Sequence, residues 1–255
     1  MTRPDLVAAL HVEAQKVTAA RVVMSATILL IVGTTALGAV TTAAARSGNA
    51  QVLAKLGPIA GQGGWAGLLN SVNQVTAAAG LLTFGVVLSW IFGREFAEGT
   101  ITGLFGLPVS RPTIALAKLA VYLLWTMTVA LALPLAAGAI GMAFGLGPPT
   151  SVAWEGLTRL FGLTLMTGAL ATPVAWVATL GRGLLPGIAT TVGLIATAQI
   201  MVVAGTGGWF PFAAPALWAI MPGTVTGPQL ALVAIVPAVS VLLALGSWQR
   251  LQLDH

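Results

Sequence analysis

Six apolar runs of about twenty residues or more recur along the chain, near 22–45, 68–92, 113–140, 157–180, 186–205 and 229–248. A helix rising about 1.5 Å per residue needs about twenty apolar residues to cross the hydrocarbon core of a bilayer. Each run is long enough. A membrane β-barrel would show alternating segments of about ten residues instead. The runs predict an all-α integral membrane protein with six transmembrane helices in a single transmembrane domain over 1–255. Composition supports this: only 7% of residues are charged, against about 25% in a soluble domain. So few charges cannot clothe a water-exposed surface.

Charge placement predicts orientation. With the N-terminus inside, Arg3, Lys16, Arg21, Arg94, Arg111, Lys118, Arg182 and Arg250 lie inside, and Arg46, Lys55 and Arg159 outside. Eight of the eleven Lys/Arg against three favours cytoplasmic N- and C-termini in a bacterial inner or plasma membrane. The net charge of +5 comes from scattered topogenic residues rather than a basic cluster, so no nucleic-acid partner is expected. Pro134, Pro173 and Pro237 fall inside runs and predict kinks, because each removes a backbone hydrogen bond.

Outside the runs, three segments stand out. In 1–21, Leu6, Leu10, Ala14 and Val17 share one helical face, with Asp5, His11, Gln15 and Lys16 elsewhere. This predicts an amphipathic helix in the membrane interface. The first apolar run exceeds the length of a signal-peptide core, so no cleavage after Ala43-Ala44-Ala45 is expected. The segment 206–228 combines Trp209, Phe210, Phe212 and Trp218 with four prolines. It is too apolar for a free loop and too broken for a span, which predicts short re-entrant helices between spans five and six.

The third segment, 94–119, reads REFAEGTITGLFGLPVSRPTIALAKL and holds three of the eleven Lys/Arg and two of the six Asp/Glu. Gly99 breaks the preceding helix, and Glu98 or Thr100 is placed to cap a new one. Ile101, Leu104 and Phe105 form an apolar ridge on that short helix. Ser110 is placed as the N-cap of the third span, and Pro112 falls in its first turn. Lys118, about two turns further on, is expected to snorkel back to the headgroups. The local chemistry suits either a coupling helix or an ordinary well-capped loop.

Much chemistry is missing. The chain has no cysteine and two histidines, His11 and His255, both near its ends. No Ser/His pair, metal cluster or HExxH motif lies within a span, so neither catalytic residues nor a metal site are expected. None of the six acids falls mid-span, which disfavours an ion-coupled carrier, since such carriers commonly keep one there. No GxxxxGK[ST] motif is present, so energy for uphill transport would have to come from a partner chain.

Glu98-Gly99-Thr100, then an apolar stretch, then Leu107-Pro108-Val109-Ser110-Arg111 and Lys118 resemble the signature of ABC-2-type transporter permeases, the bacterial exporter class that includes antibiotic-efflux and bacteriocin-immunity permeases. Pro112, following the Ser-Arg pair, departs from that pattern but suits a first helical turn. The resemblance implies an exporter's permease subunit, which pairs with a second copy or a paralogue. It also implies two copies of an ABC ATP-binding subunit docked beneath, with ATP and Mg held in those chains and no cofactor in this one. Carried over, the coupling loop 94–111 would present Glu95, Glu98, Thr100, Leu104, Phe105 and Arg111 to the ATPase. Asn70, Asn73 and Gln74 share a face of the second span, and Gln199 lies in the fifth; these are candidate substrate-path residues, and they equally suit hydrogen bonding between helices. An ion-coupled carrier or channel and a structural scaffold are the alternatives.

Overall fold

The computed structural model describes residues 3–47, 63–106 and 108–252; Lys55, Leu107 and His255 lie outside the described residues. These residues contain helices and no strands. Among the described residues, six helical spans are long and apolar enough to cross a membrane: Arg21–Arg46, Gly64–Ala97, Arg111–Ala143, Ser151–Leu180, Leu184–Val203 and Gly227–Arg250. An N-terminal helix, Arg3–Ala19, precedes them.

The second and third spans have 34 and 33 residues. At about 1.5 Å per residue each is about 50 Å long, well beyond a hydrocarbon core of about 30 Å. Helix therefore continues past the apolar runs, and the extra turns carry the charged residues at one end of the bundle. The second span is the hub, packed against the first, third, fourth and fifth. Of the apolar windows of the second and fourth spans, 56% is buried, against 17% for the fifth and sixth, which lie at the periphery.

Small residues permit this close packing. A Cβ on Gly85 would sit 2.2 Å from Thr191 Oγ1, and one on Gly93 would sit 2.6 Å from the backbone carbonyl of Gly183. Several buried threonines return their hydroxyls to the carbonyl one turn earlier, as in Thr164 to Leu160 O and Thr179 to Ala175 O. Trp248 is fully buried; its indole donates to Thr179 Oγ1 at 3.1 Å and ties the sixth span to the fourth.

The prolines act in different ways. Pro134 sits inside an unbroken helix. The fourth span is interrupted at Ala171–Thr172, and Pro173 starts its second half. The sixth begins with a short helix, Gly227–Ala231, and a 3₁₀ turn, Leu232–Ala234, so its irregularity lies upstream of Pro237. The first span contains a π-helical stretch, Leu29–Gly33, with no proline to announce it.

Between the fifth and sixth spans, a 3₁₀ turn, Gly207–Trp209, packs on the fifth span, and a short helix, Ala214–Ile220, packs on the second and fourth. Ala214 and Ala219 are buried, and Trp209 is exposed.

Candidate functional site: a buried ion ring and an exposed edge

The N-terminal helix, the 94–111 loop, the turn at 181–183 and the end of the sixth span gather at one end of the bundle. At this loop end, the second span stops because Gly99 takes φ +69°, a conformation that costs glycine little. A five-residue helix follows, Ile101–Phe105, with Thr100 at its N-cap. Neither Glu98 nor Thr100 caps it through a side chain, contrary to expectation. Glu98 instead pairs back to Arg94 at 3.1 Å across one helical turn. Ser110 holds the N-cap position of the third span with extended backbone, but its hydroxyl bonds Thr113 Oγ1 at 2.6 Å rather than a backbone N–H.

The apolar ridge turns inward. Ile101 is buried, while Leu104 and Phe105 are half-buried against the core. Phe105 meets Trp248 edge to face at 6.5 Å. Arg111 stacks over the Phe105 ring at 4.2 Å and donates to the Leu251 carbonyl, so it braces the loop against the chain's last described residues. The surface left to solvent is formed by small and polar residues, Ala97, Glu98, Gly99, Thr100, Thr102 and Gly103, with Gly106, Pro108 and Ser110 beyond the short helix. Of the six residues expected to meet a partner, Glu98 and Thr100 are exposed, and Leu104, Phe105 and Arg111 spend much of their surface inside the protein.

Glu95, the sixth, is turned inward. It is 4% exposed and belongs to a ring of four charges. Lys118 Nζ donates to Glu95 Oε1 at 2.6 Å, to Glu13 Oε2 at 3.0 Å and to the Ile91 carbonyl at 3.0 Å. Lys16 Nζ donates to Glu13 Oε1 at 2.6 Å and to Glu95 Oε1 at 3.1 Å. Lys118 is 1% exposed, so it does not snorkel to headgroups. An isolated charge in such a place is prohibitively costly, and the ring is tolerable because each charge has an opposite neighbour. Burial alone would lower the pKa of Lys16, but the Glu13 and Glu95 carboxylates outweigh it and hold the ammonium above its ordinary range.

Glu13, Lys16 and Lys118 are not among the residues expected at the site. A signal existed: Glu13 shares a face with Leu10, Ala14 and Val17, and an acid on an apolar face needs a partner. Naming that partner required the fold, since Glu13 and Lys118 are 105 positions apart.

The path candidates lie at the opposite end. Asn70 and Asn73 line a cleft of about 300 Å³ with Glu155, Arg159, Ile220 and Pro222. Asn73 is buried, and its Oδ1 has no hydrogen-bond partner. Gln74 is half-buried and outside that lining. Gln199 lines a separate cleft of about 60 Å³ with Thr167 and Phe212, so the structure does not bring it to the asparagines. Glu155 and Arg159 pair at 2.7 Å, yet Arg159 does more than an exposed pair would. Its Nη1 donates to the Trp218 carbonyl at 2.7 Å and its guanidinium lies over the Trp218 ring, fastening the fourth span to the Ala214–Ile220 helix. Among the described residues, no three His, Cys, Asp or Glu side chains gather in a way that could hold a metal ion.

Comparison with known proteins agrees with the loop signature. The family model for ABC-2 family transporter proteins matches residues 9–197. The bacitracin transport permease protein BCRB of Bacillus licheniformis is 34% identical over 150 residues, covering 57% of this chain and 69% of that protein.

Proposed function

The chain belongs to the ABC-2 transporter family, and on that premise we propose that it is the permease subunit of an ATP-driven exporter, working as a dimer above two separate ATP-binding subunits. In this reading the loop end faces the cytoplasm, the N-terminal helix lies in the inner interface, and the 206–228 segment lies on the outer side with its short helices re-entrant. ATP and Mg reside in the partner chains, and this chain performs no hydrolysis itself. One observation carries the reading: the exposed edge from Ala97 to Gly103 sits on a rigid mount formed by the ends of the second and third spans. A partner pressing on that edge moves both spans.

Contact with the ATP-binding subunit falls to Glu98 and Thr100, with Leu104, Phe105 and Arg111 holding the edge in shape. Asn70, Asn73 and Gln74 line the early outward part of the path in this reading, and Gln199 meets the cargo from the fifth span. Likeness to a bacitracin transport permease makes bacitracin the first cargo to test.

Co-expression with an ATP-binding subunit encoded beside this chain, followed by co-purification and ATPase measurement, tests the reading. Glu98→Lys is expected to insert normally but to lose the complex, or to hydrolyse ATP without transport. Wild-type complex yield and transport in that variant remove the edge from its role. Transport by the permease alone, under an ion gradient and without ATP, overturns the exporter reading.

A further inference from the structure

The N-terminal helix is attached in two unlike ways. To the first span it is joined through one residue, Ala20, whose extended backbone (φ −77°, ψ 118°) interrupts the helix between Ala19 and Arg21. To the second and third spans it is bound by the ion ring. Glu13 and Lys16 come from the N-terminal helix, Glu95 from the second span and Lys118 from the third. Around the ring lie Leu10, Ala14, Val17, Ile114 and Leu119.

Apolar contact alone is non-directional, and helices so joined can slide and roll. Charge-assisted hydrogen bonds are directional. Lys118 has three N–H donors and all three are engaged. Rolling the N-terminal helix away would leave Lys118 or Glu95 as an incompletely paired charge in a nearly water-free site, and such states are strongly disfavoured. Glu95 lies one turn before the exposed Glu98, so the ring and the partner-facing edge share the last turn of the second span.

We infer that Glu13, Lys16, Glu95 and Lys118 are positioning residues that clasp the N-terminal helix to the 94–111 loop, so that the two are displaced as one body while the joint at Ala20 lets the first span move separately. The coupling part of this inference rests on the exporter reading above; the clasp itself does not. A push on the exposed edge reaches the N-terminal helix through the ring and reaches the first span only through the joint.

The chain's lack of cysteine makes engineered thiols unique. Glu13→Cys with Lys118→Cys removes one acid and one base and leaves the Lys16–Glu95 pair, so charge stays balanced. In the complex with ATP-binding subunits, this double variant is expected to lower the cargo moved per ATP hydrolysed by roughly tenfold, the size of an ordinary coupling free energy. Bridging the two thiols with a short bifunctional reagent is expected to restore it. An unchanged ratio before bridging, or one that stays low after bridging, overturns the proposal.

A second measurement needs neither transport nor a partner. Spin labels at Val12→Cys and Thr102→Cys, both exposed, are expected to report one narrow distance in the permease alone, and the same distance in the complex with and without nucleotide. Lys118→Met is expected to broaden it. A distance unmoved by Lys118→Met, or one that shifts with nucleotide, overturns the clasp. If wild-type permease recruits no ATP-binding subunit, the exporter reading fails while this arm still decides the clasp.

Discussion

The two ends of the bundle each use charge to fasten a short helix to a long one, and they do so under opposite conditions. At the loop end, Glu13, Glu95 and Lys118 are all under 5% exposed, and four charges share one ring. At the opposite end, the Glu155 side chain is 61% exposed and the Arg159 side chain 19%, and a single pair is helped by one backbone carbonyl and an aromatic face. Water screens the second arrangement and reaches the first only at Lys16, whose side chain is 27% exposed. The buried ring therefore fixes a geometry and is intolerant of losing a member, whereas the exposed pair is a tether whose carboxylate is dispensable.

Lys118→Met should show the largest effect. It leaves two carboxylates facing the single Lys16 ammonium, and loss of one partner from a buried cluster costs about 3–5 kcal/mol. Thermal unfolding in detergent should fall by about 10 °C or more. If that shift is no larger than the one caused by Arg159→Ala, the contrast between the two ends is broken.

Gly93→Ala probes the same end without touching charge. Its Cβ would enter the backbone at Gly183 and Leu184, and forced overpacking of this kind costs about 1–3 kcal/mol. The expected thermal shift is intermediate. A neutral result would mean that the turn at 181–183 yields, and that the loop end is held by the ring alone.

The opposite end should give the smallest effects, and unequal ones. Arg159→Ala removes the bond to the Trp218 carbonyl and should cost about 1–2 kcal/mol, while Glu155→Ala should stay within about 0.5 kcal/mol. Thermal unfolding of both variants in low and high salt checks the difference. Equal losses would show that Glu155 carries the tether and would sharpen the comparison in the other direction.

The architecture was legible before any coordinates, for a plain reason. Each span announces itself in a local stretch of apolar residues, and lipid demands helix wherever backbone crosses it. The break at Gly99 and the start at Ser110 were legible too, because glycine and cap residues act within one turn. The inward turn of Glu95 was not legible: the last turn of the second span carries it into the packed end of the bundle, where Lys16 and Lys118 neutralise it. Misplacing Lys118 has the same origin. A lysine two turns inside a span reads as a snorkelling residue unless its carboxylates are known to approach from 23 and 105 positions away.

The path residues follow the same division. Asn70 and Asn73 share a face by helical spacing alone and do line one cleft. Their separation from Gln199 depends on how the second, fourth and fifth spans pack. By itself, then, the sequence determined a six-span helical membrane protein, a capped loop between the second and third spans, and a family signature carried by that loop, because these follow from hydrophobicity and backbone preference over short distances. The tertiary structure alone decided which charges face inward, which edge of the loop stays free, and that the N-terminal helix is clasped to two spans and jointed to a third. Those depend on groups far apart in the chain meeting in a medium that forbids an unpaired charge.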